Sequence, residues 1–333
     1  MESLRSIDVQ SFINSHKLSG YQILIVVLCF FIIAVDGFDT AAIGYIAPAI
    51  KEEWGLTPAH LAPLFGAGLL GLMVGAFVIG PFADKFGRKP VLLFAVGFFG
   101  LASLISGYAT SEEQLLVLRF ITGLGLGGAM PNAITVTSEY CPERHRSVLV
   151  TSMFCGFTVG SALGGVAAAH IVADFGWRAV LILGGVLPLV FVPILWWKLP
   201  ESVRYLVLAG KDSAQVTRVL HNIAPKEALD GAKFMVPEKR LGGFPVKHLF
   251  DQGLLRGTLL LWIVFFMSLL VFYLLTNWLP TVIKSTGVSM KEASVFQVAA
   301  IPAVLAAVSI FALGRQQAMR PTSVHATGAR SLG

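Results

Sequence analysis

Residues 80–90 read GPFADKFGRKP, a polar interruption between two long apolar runs. Residues 60–82 and 90–108, on either side, contain no Asp, Glu, Lys or Arg apart from those in the interruption. Each run exceeds the roughly 18 apolar residues that mark a helix able to cross a membrane. The stretch is therefore read as a connection at a membrane face. Gly80 and Gly87 permit a tight turn, Asp84 can accept backbone N–H bonds, and Arg88 can form a bidentate pair with a carboxylate. A basic loop that only orients helices needs neither the acid nor the glycines.

The rest of the chain repeats the pattern. Of 333 residues, 55% are hydrophobic and 13% charged, against about 25% charged in soluble domains. Apolar runs predict spans over 22–46, 60–82, 90–108, 113–136, 147–172, 178–198 and 256–279, with an eighth over 294–313. The first twenty residues are polar and the run after them is a full span, so no cleavable leader is predicted. Lys85, Arg88, Lys89, Arg144, Arg146 and eight basic residues after span six fall on one side, with Arg5 and Lys17. The opposite connections hold only Lys51, Arg178, Lys284 and Lys291. The positive-inside rule puts the N-terminus in the cytoplasm. It also makes the net charge of +6 a feature of membrane orientation rather than of nucleic-acid binding.

The organisation is thus a cytoplasmic N-terminus (1–21), a six-helix transmembrane bundle (22–198), a cytoplasmic central segment (199–255), and the start of a second bundle (256–313). A tail of atypical composition (314–333) follows. Six spans, a polar segment and a fresh start suggest a transporter built of two six-helix halves, each made of inverted three-helix repeats. Cys29, Cys141 and Cys155 show no metal spacing and are assigned no disulfide. No H-E-x-x-H, G-x-S-x-G or phosphate-binding loop is present, so no enzyme activity and no metal or cofactor is expected.

Span one carries two acids in FFIIAVDGFDTAAIGYIAP (30–48). Asp36 and Asp39 are three residues apart, on one face. Gly37 between them allows backbone slack or a close approach. At about 1.5 Å per residue, Asp36 lies about 21 Å from the cytoplasmic start of span one, and Arg119 of span four lies at a similar depth. A carboxylate and a guanidinium at one level on repeat-related helices can pair across a cavity. Intramembrane ionisable residues are functional by default. Asp36 and Asp39 are read either as a proton-binding pair or as a polar clamp between helices. Arg119 is the only basic residue well inside a predicted span, which makes it the candidate for binding an anion. Phe154, Phe157, Trp262, Phe265, Phe266, Tyr273 and Trp278 are candidates for ring contacts.

Residues 80–90 match the pattern G-x-x-x-D-x-x-G-R followed by Lys or Arg. RFITGLGLGGAMPN (119–132) matches R-x-x-x-G-x-G-x-G-x-x-x-P through Arg119, Gly123, Gly125, Gly127 and Pro131. In both, the sequence resembles the major facilitator superfamily. DVQSFINSHKLSGYQ (8–22), DGFDTAAIGYIAPAI (36–50), SEYCPERHRS (138–147), TSMFCGF (151–157), LPESVRYL (199–206) and YLLTNWLPT (273–281) extend the likeness over residues 7–293. The resemblance is to the aromatic acid:proton symporters, among them the 4-hydroxybenzoate/protocatechuate permeases.

The resemblance implies an all-α major facilitator fold, with the N-terminal bundle and about two helices of the second. It implies proton-coupled import of a small aromatic carboxylate across a bacterial inner membrane. It implies coupling and substrate roles for Asp36, Asp39 and Arg119, and a cytoplasmic gate of Gly80, Asp84, Gly87 and Arg88, with Glu139 pairing with Arg88. Gly123, Gly125, Gly127 and Pro131 are assigned to helix packing. The partners implied are the substrate and the lipid bilayer, and the coupling ion is a proton. After residue 297 the chain departs from the family pattern: residues 298–333 lack the glycine-rich eighth helix, and no Asp, Glu or Lys follows Glu292. A premature end or frameshift near Ser294 is expected. A fragment that does not transport, or a membrane receptor for the same ligands, is the alternative.

Overall fold

A computed structural model of the protein describes residues 6–210, 213–227, 229, 231–236 and 255–287. The expected eighth span (294–313), the tail (314–333) and residues 237–254 of the central segment lie outside the described residues. Among the described residues, seven helices are long and apolar enough to cross a membrane.

The chain opens with strand β1 (Ser6–Asp8) and helix α1 (Val9–Ser15), which precede the first span. The six-helix bundle is α2 (Gly20–Trp54), α3 (Pro58–Phe86), α4 (Arg88–Ser106), α5 (Glu112–Tyr140), α6 (Glu143–Phe175) and α7 (Trp177–Lys198). The central segment adds α8 (Val203–Leu208), α9 (Ser213–Ile223) and strand β2 (Lys233–Met235), and α10 (Leu255–Ser285) is the seventh long helix. At about 1.5 Å per residue, α2 is about 52 Å long, well beyond a hydrocarbon core of about 30 Å. Its excess over the predicted 22–46 carries Lys51, Glu52 and Glu53 and ends at Gly55, whose φ of +63° is left-handed. Apolar periodicity locates the part of a helix in lipid, whereas helices run on to their caps.

The start of α2 is fixed by a capping box: the Ser19 hydroxyl accepts from the Gln22 N–H, and Gln22 Oε1 accepts from Ser19 N. Gln22 Nε2 also donates to Tyr140 O at 2.6 Å, which ties the first helix to the end of α5. Helix α6 begins after Pro142, which has no capping side chain. Asn14 of the N-terminal segment supplies the cap, its Oδ1 accepting from Glu143 N at 2.9 Å.

Packing follows the expected repeat. Helix α3 lies against α5, and in the repeat-related place α6 lies against α2. Both contacts are backbone to backbone. A methyl group at Gly71 or Gly75 would run into α5 carbonyls, and one at Gly123 or Gly127 into α3 carbonyls. The same holds at Gly156 and Gly160 against α2, and at Gly37 against Phe157 of α6. Small residues at four-residue spacing let helices meet this closely in lipid. Gly125 turns the other way and admits Phe99 of α4. Pro131 lies inside α5, four residues past Gly127.

The N-terminal and central segments form one layer under the bundle. β1 pairs in parallel with β2, Ser6 opposite Lys233 and Asp8 opposite Met235. Phe12 and Ile13 of α1 and Val216, Val219, Leu220 and Ile223 of α9 are buried in the same core as the first turns of α2. Cys141, in the turn after α5, is buried there too, and burial pushes its thiol up to about 11.

Candidate functional site

Midway along α2, Asp39 is buried against α4 and α5. Arg119 Nη1 donates to Asp39 Oδ2 at 3.1 Å, and the pair is sealed from solvent, with side chains 2% and 4% exposed. Three hydroxyls complete the shell. Arg119 Nη2 donates to Ser103 Oγ at 3.4 Å, Ser106 Oγ at 3.3 Å and Thr122 Oγ1 at 3.2 Å. A hydroxyl has one proton and two lone pairs. Ser106 sends its proton to Ala102 O, Thr122 to Leu118 O and Ser103 to Asp39 Oδ1, so each keeps a lone pair for the guanidinium. Arg119 Nε has no partner among the described residues.

Asp36 stands apart from this pair. It is fully buried, one oxygen accepts from Thr40 Oγ1 at 3.1 Å, and the other has no partner among the described residues. The depth argument matched Asp36 with Arg119; the structure pairs Arg119 with Asp39 instead. Three residues turn a helix about 60° short of a full circle, enough to swing one acid onto α5 and leave the other beside its own helix.

Beside the pair lies a narrow pocket lined by Asp39, Thr40, Phe65, Arg119, Tyr273 and Asn277 among others. Of the seven candidate ring residues, Tyr273 lines it, and Trp278 stands edge-on to Phe65 with ring centroids 5.3 Å apart. Phe157 packs on Phe272, while Phe154, Trp262, Phe265 and Phe266 are exposed on outer faces.

A second charged cluster closes the end of the bundle at Gly87. The predicted turn is a single residue: α3 runs to Phe86, α4 starts at Arg88, and Gly87 between them has φ +103°. Gly80 lies inside α3, and a side chain there would meet nothing, so it serves no turn. Among the described residues Asp84 binds no backbone amide; it accepts from Arg88 Nη2 at 2.7 Å. Glu139 stands 3.8 Å from Arg88 Nε, so the guanidinium is divided between two acids and is bidentate to neither. The backbone acceptor at the turn is Glu201, which the sequence reading did not assign. Its Oε1 takes Arg88 N at 2.8 Å, Lys89 N at 3.1 Å and Ser202 N at 2.8 Å. It thereby caps α4, whose N-cap glycine has no side chain. Ser202 Oγ donates to Glu139 Oε2 at 2.5 Å, and Tyr140 Oη to Glu201 O at 2.5 Å. The only advance signal was the quoted LPESVRYL, taken for its likeness and not for a role.

Comparison with known proteins gives the family. The sequence is 50% identical over 298 residues to the 4-hydroxybenzoate transporter PcaK of Pseudomonas aeruginosa, covering 88% of this chain and 66% of that one. It is 44% identical over 289 residues to a gallate transporter of Pseudomonas putida, covering 86% and 64%. The chain thus spans about two thirds of the length of these curated relatives, which are transporters and not enzymes. The fold matches a partially occluded, inward-open structure of the xylose transporter XylE of E. coli, with TM-score 0.66 and 20% identity, over 87% of this chain and 73% of that one. The profile of the Major Facilitator Superfamily matches residues 29–320, running past Ser294 where a departure was expected. Two inverted three-helix units, a one-residue turn after FADKF and an arginine inside α5 stand within that match, and the chain belongs to the major facilitator superfamily.

Proposed function

We propose that the protein takes part in proton-coupled import of small aromatic carboxylates, such as 4-hydroxybenzoate or protocatechuate, across a bacterial inner membrane, with its N-terminus in the cytoplasm. The observation that carries this reading is the buried Asp39–Arg119 pair beside a pocket walled by Phe65 and Tyr273, with a second, under-coordinated acid three residues away. The 4-hydroxybenzoate and gallate transporters among its relatives support the substrate class. The basic residues of the Gly87 end support the orientation.

The geometry suggests how coupling works. Two buried carboxylates and one guanidinium leave one uncompensated negative charge, so one proton brings the three groups to neutrality. A substrate carboxylate entering the pocket competes with Asp39 for Arg119. A proton on the displaced acid removes an uncompensated charge that hydrocarbon surroundings penalise. The substrate leaves on the other side once the proton is lost and Asp39 reclaims Arg119. At the Gly87 end, the Asp84–Arg88–Glu139 cluster acts as the cytoplasmic gate.

The test is uptake of labelled 4-hydroxybenzoate into proteoliposomes under an imposed pH gradient. It compares this chain with a fusion extended by the C-terminal third of the P. aeruginosa relative. Concentrative uptake by the fusion that collapses with a protonophore is the expected result. Uptake that ignores the protonophore removes the coupling; binding by this chain with no uptake by the fusion favours a receptor.

A further inference from the structure

Helix α10 is polar where helices of this composition are usually apolar. Along its 31 residues the buried positions are Thr276, Asn277, Pro280 and Thr281, while Trp262, Phe265, Phe266 and most of its leucines face outward. Tyr273, Asn277 and Thr281 are four residues apart and form one stripe on one face. That face lies hard against α2: a methyl group at Gly44 would come within 2.9 Å of Asn277 Cα and collide with Thr276 O. The register of the stripe is thereby set by backbone contact and not by side chains that can repack.

Asn277 is the member of the stripe that reaches the central pocket together with Tyr273. It is 5% exposed, and its Oδ1 is shut off from solvent with no hydrogen-bond partner among the described residues. Buried carboxamides are almost always paired, and an unpaired acceptor carries a desolvation penalty that a ligand can relieve. The pocket therefore has two chemically different polar groups on different helices, a guanidinium from α5 and an open amide acceptor from α10, with apolar walls between them. An aromatic acid bearing a ring hydroxyl has the complementary pair: an anion at one end and an O–H donor at the other.

We propose that Asn277 is a specificity-determining residue, accepting a hydrogen bond from the ring hydroxyl and so selecting hydroxylated over unsubstituted aromatic acids. This rests on the function proposed above and adds the group that reads the ring substituent. Without the hydroxyl the amide stays unpaired, and a site built to bind a hydroxyl discriminates strongly against its absence.

The test is equilibrium binding to the 333-residue chain in lipid nanodiscs, with 4-hydroxybenzoate, benzoate and 4-fluorobenzoate as probes. Fluorine is small and cannot donate, so this series needs no mutation. The expected result is that 4-hydroxybenzoate binds about tenfold or more tighter than either other acid. In Asn277→Leu the 4-hydroxybenzoate affinity should fall to the level of benzoate, with benzoate itself unchanged, and Asn277→Ser, which keeps an acceptor, should recover part of the preference. Equal binding of 4-fluorobenzoate and 4-hydroxybenzoate to the unmutated chain overturns the assignment of Asn277 alone. So does an equal loss of all three ligands in Asn277→Leu. Failure of every aromatic acid to bind overturns the proposed function and this assignment with it.

Discussion

Arg119 and Arg88 both face carboxylates across helix interfaces, and they do so under opposite physical conditions. Arg119 is sealed at mid-helix, holds one acid at 3.1 Å through Nη1, and has Nη2 met by three hydroxyls that are themselves satisfied. Arg88 sits at the end of the bundle between an acid that is 73% exposed and another at 3.8 Å. The first cluster is a closed shell in a medium where a lost partner cannot be replaced by water. The second is a shared, loose arrangement whose members can exchange partners cheaply. The proposed function calls for both kinds: a site whose charge state is strongly felt, and a gate that opens without a large penalty.

The contrast is broken most directly at Arg119. Arg119→Gln leaves Asp39 buried with only Ser103 as a donor. Removing one partner of a buried pair costs about 3–5 kcal/mol. We expect a large drop in thermal stability and membrane abundance. The double variant Asp39→Asn, Arg119→Gln removes both charges and should regain much of that loss, measured as melting temperature in detergent. A double variant no more stable than the single one would show that the hydroxyl shell, and not charge pairing, is what matters.

Asp36 sharpens the same side of the comparison. Asp36→Asn keeps the shape and the contact with Thr40 but removes a carboxylate that has no cation of its own. Stability should be unchanged or higher, while pH-driven accumulation by the extended fusion should be lost. Retained accumulation would assign coupling to Asp39 alone.

Glu201 accepts three backbone N–H bonds at the Gly87 end. Glu201→Gln keeps an acceptor for Arg88 N and Lys89 N but removes the charge, and charge-assisted bonds contribute about 1.5–3 kcal/mol against 0.5–1.5 for neutral ones. A loss of about 1 kcal/mol is expected from the melting temperature. Arg88→Lys should change stability by less than about 1 kcal/mol, because partly exposed pairs contribute little. It also loses the planar fork that spans two acids, so the transport rate of the fusion should fall at normal abundance.

These residues show what was legible in the sequence. The spans, the bundle and the family signatures were, because lipid demands long apolar runs and the turn at Gly87 is written in eleven consecutive residues. Partnerships set by side-chain rotation or by distant segments were not. Asp36 and Asp39 are indistinguishable at the level of helix depth, and only about 60° of rotation decides which meets Arg119. Glu201 reaches a turn 113 residues earlier in the chain, and β1 pairs with residues 233–235, so no local pattern marks either. Tyr273, Asn277 and Thr281 were in plain view, but the high mean hydropathy around them hid a stripe visible only at helical spacing.

The smallest expected effect comes from Cys141, which reports on the layer that holds the Gly87 end, the proposed gate. Burial between α5 and the N-terminal layer pushes its thiol up to about 11. Below that pH the folded protein keeps the neutral thiol, whereas an unfolded chain ionises near 8.5. The native state thus holds one more proton than the unfolded state between about 8.5 and 11, and this thiol's contribution to stability falls as pH rises through that window. Since only the thiolate is an efficient nucleophile, alkylation at pH 8 should be slow in a Cys29→Ala, Cys155→Ala background that leaves Cys141 alone. Adding Glu201→Gln loosens the layer that Tyr140 and Glu201 tie together, and Cys141 should then react faster. Arg88→Lys leaves those ties in place and should not change its rate. Equal acceleration by both variants would mean that the gate end opens as a single unit, so that the division between a capped turn and a loose ion cluster has no counterpart in its motion.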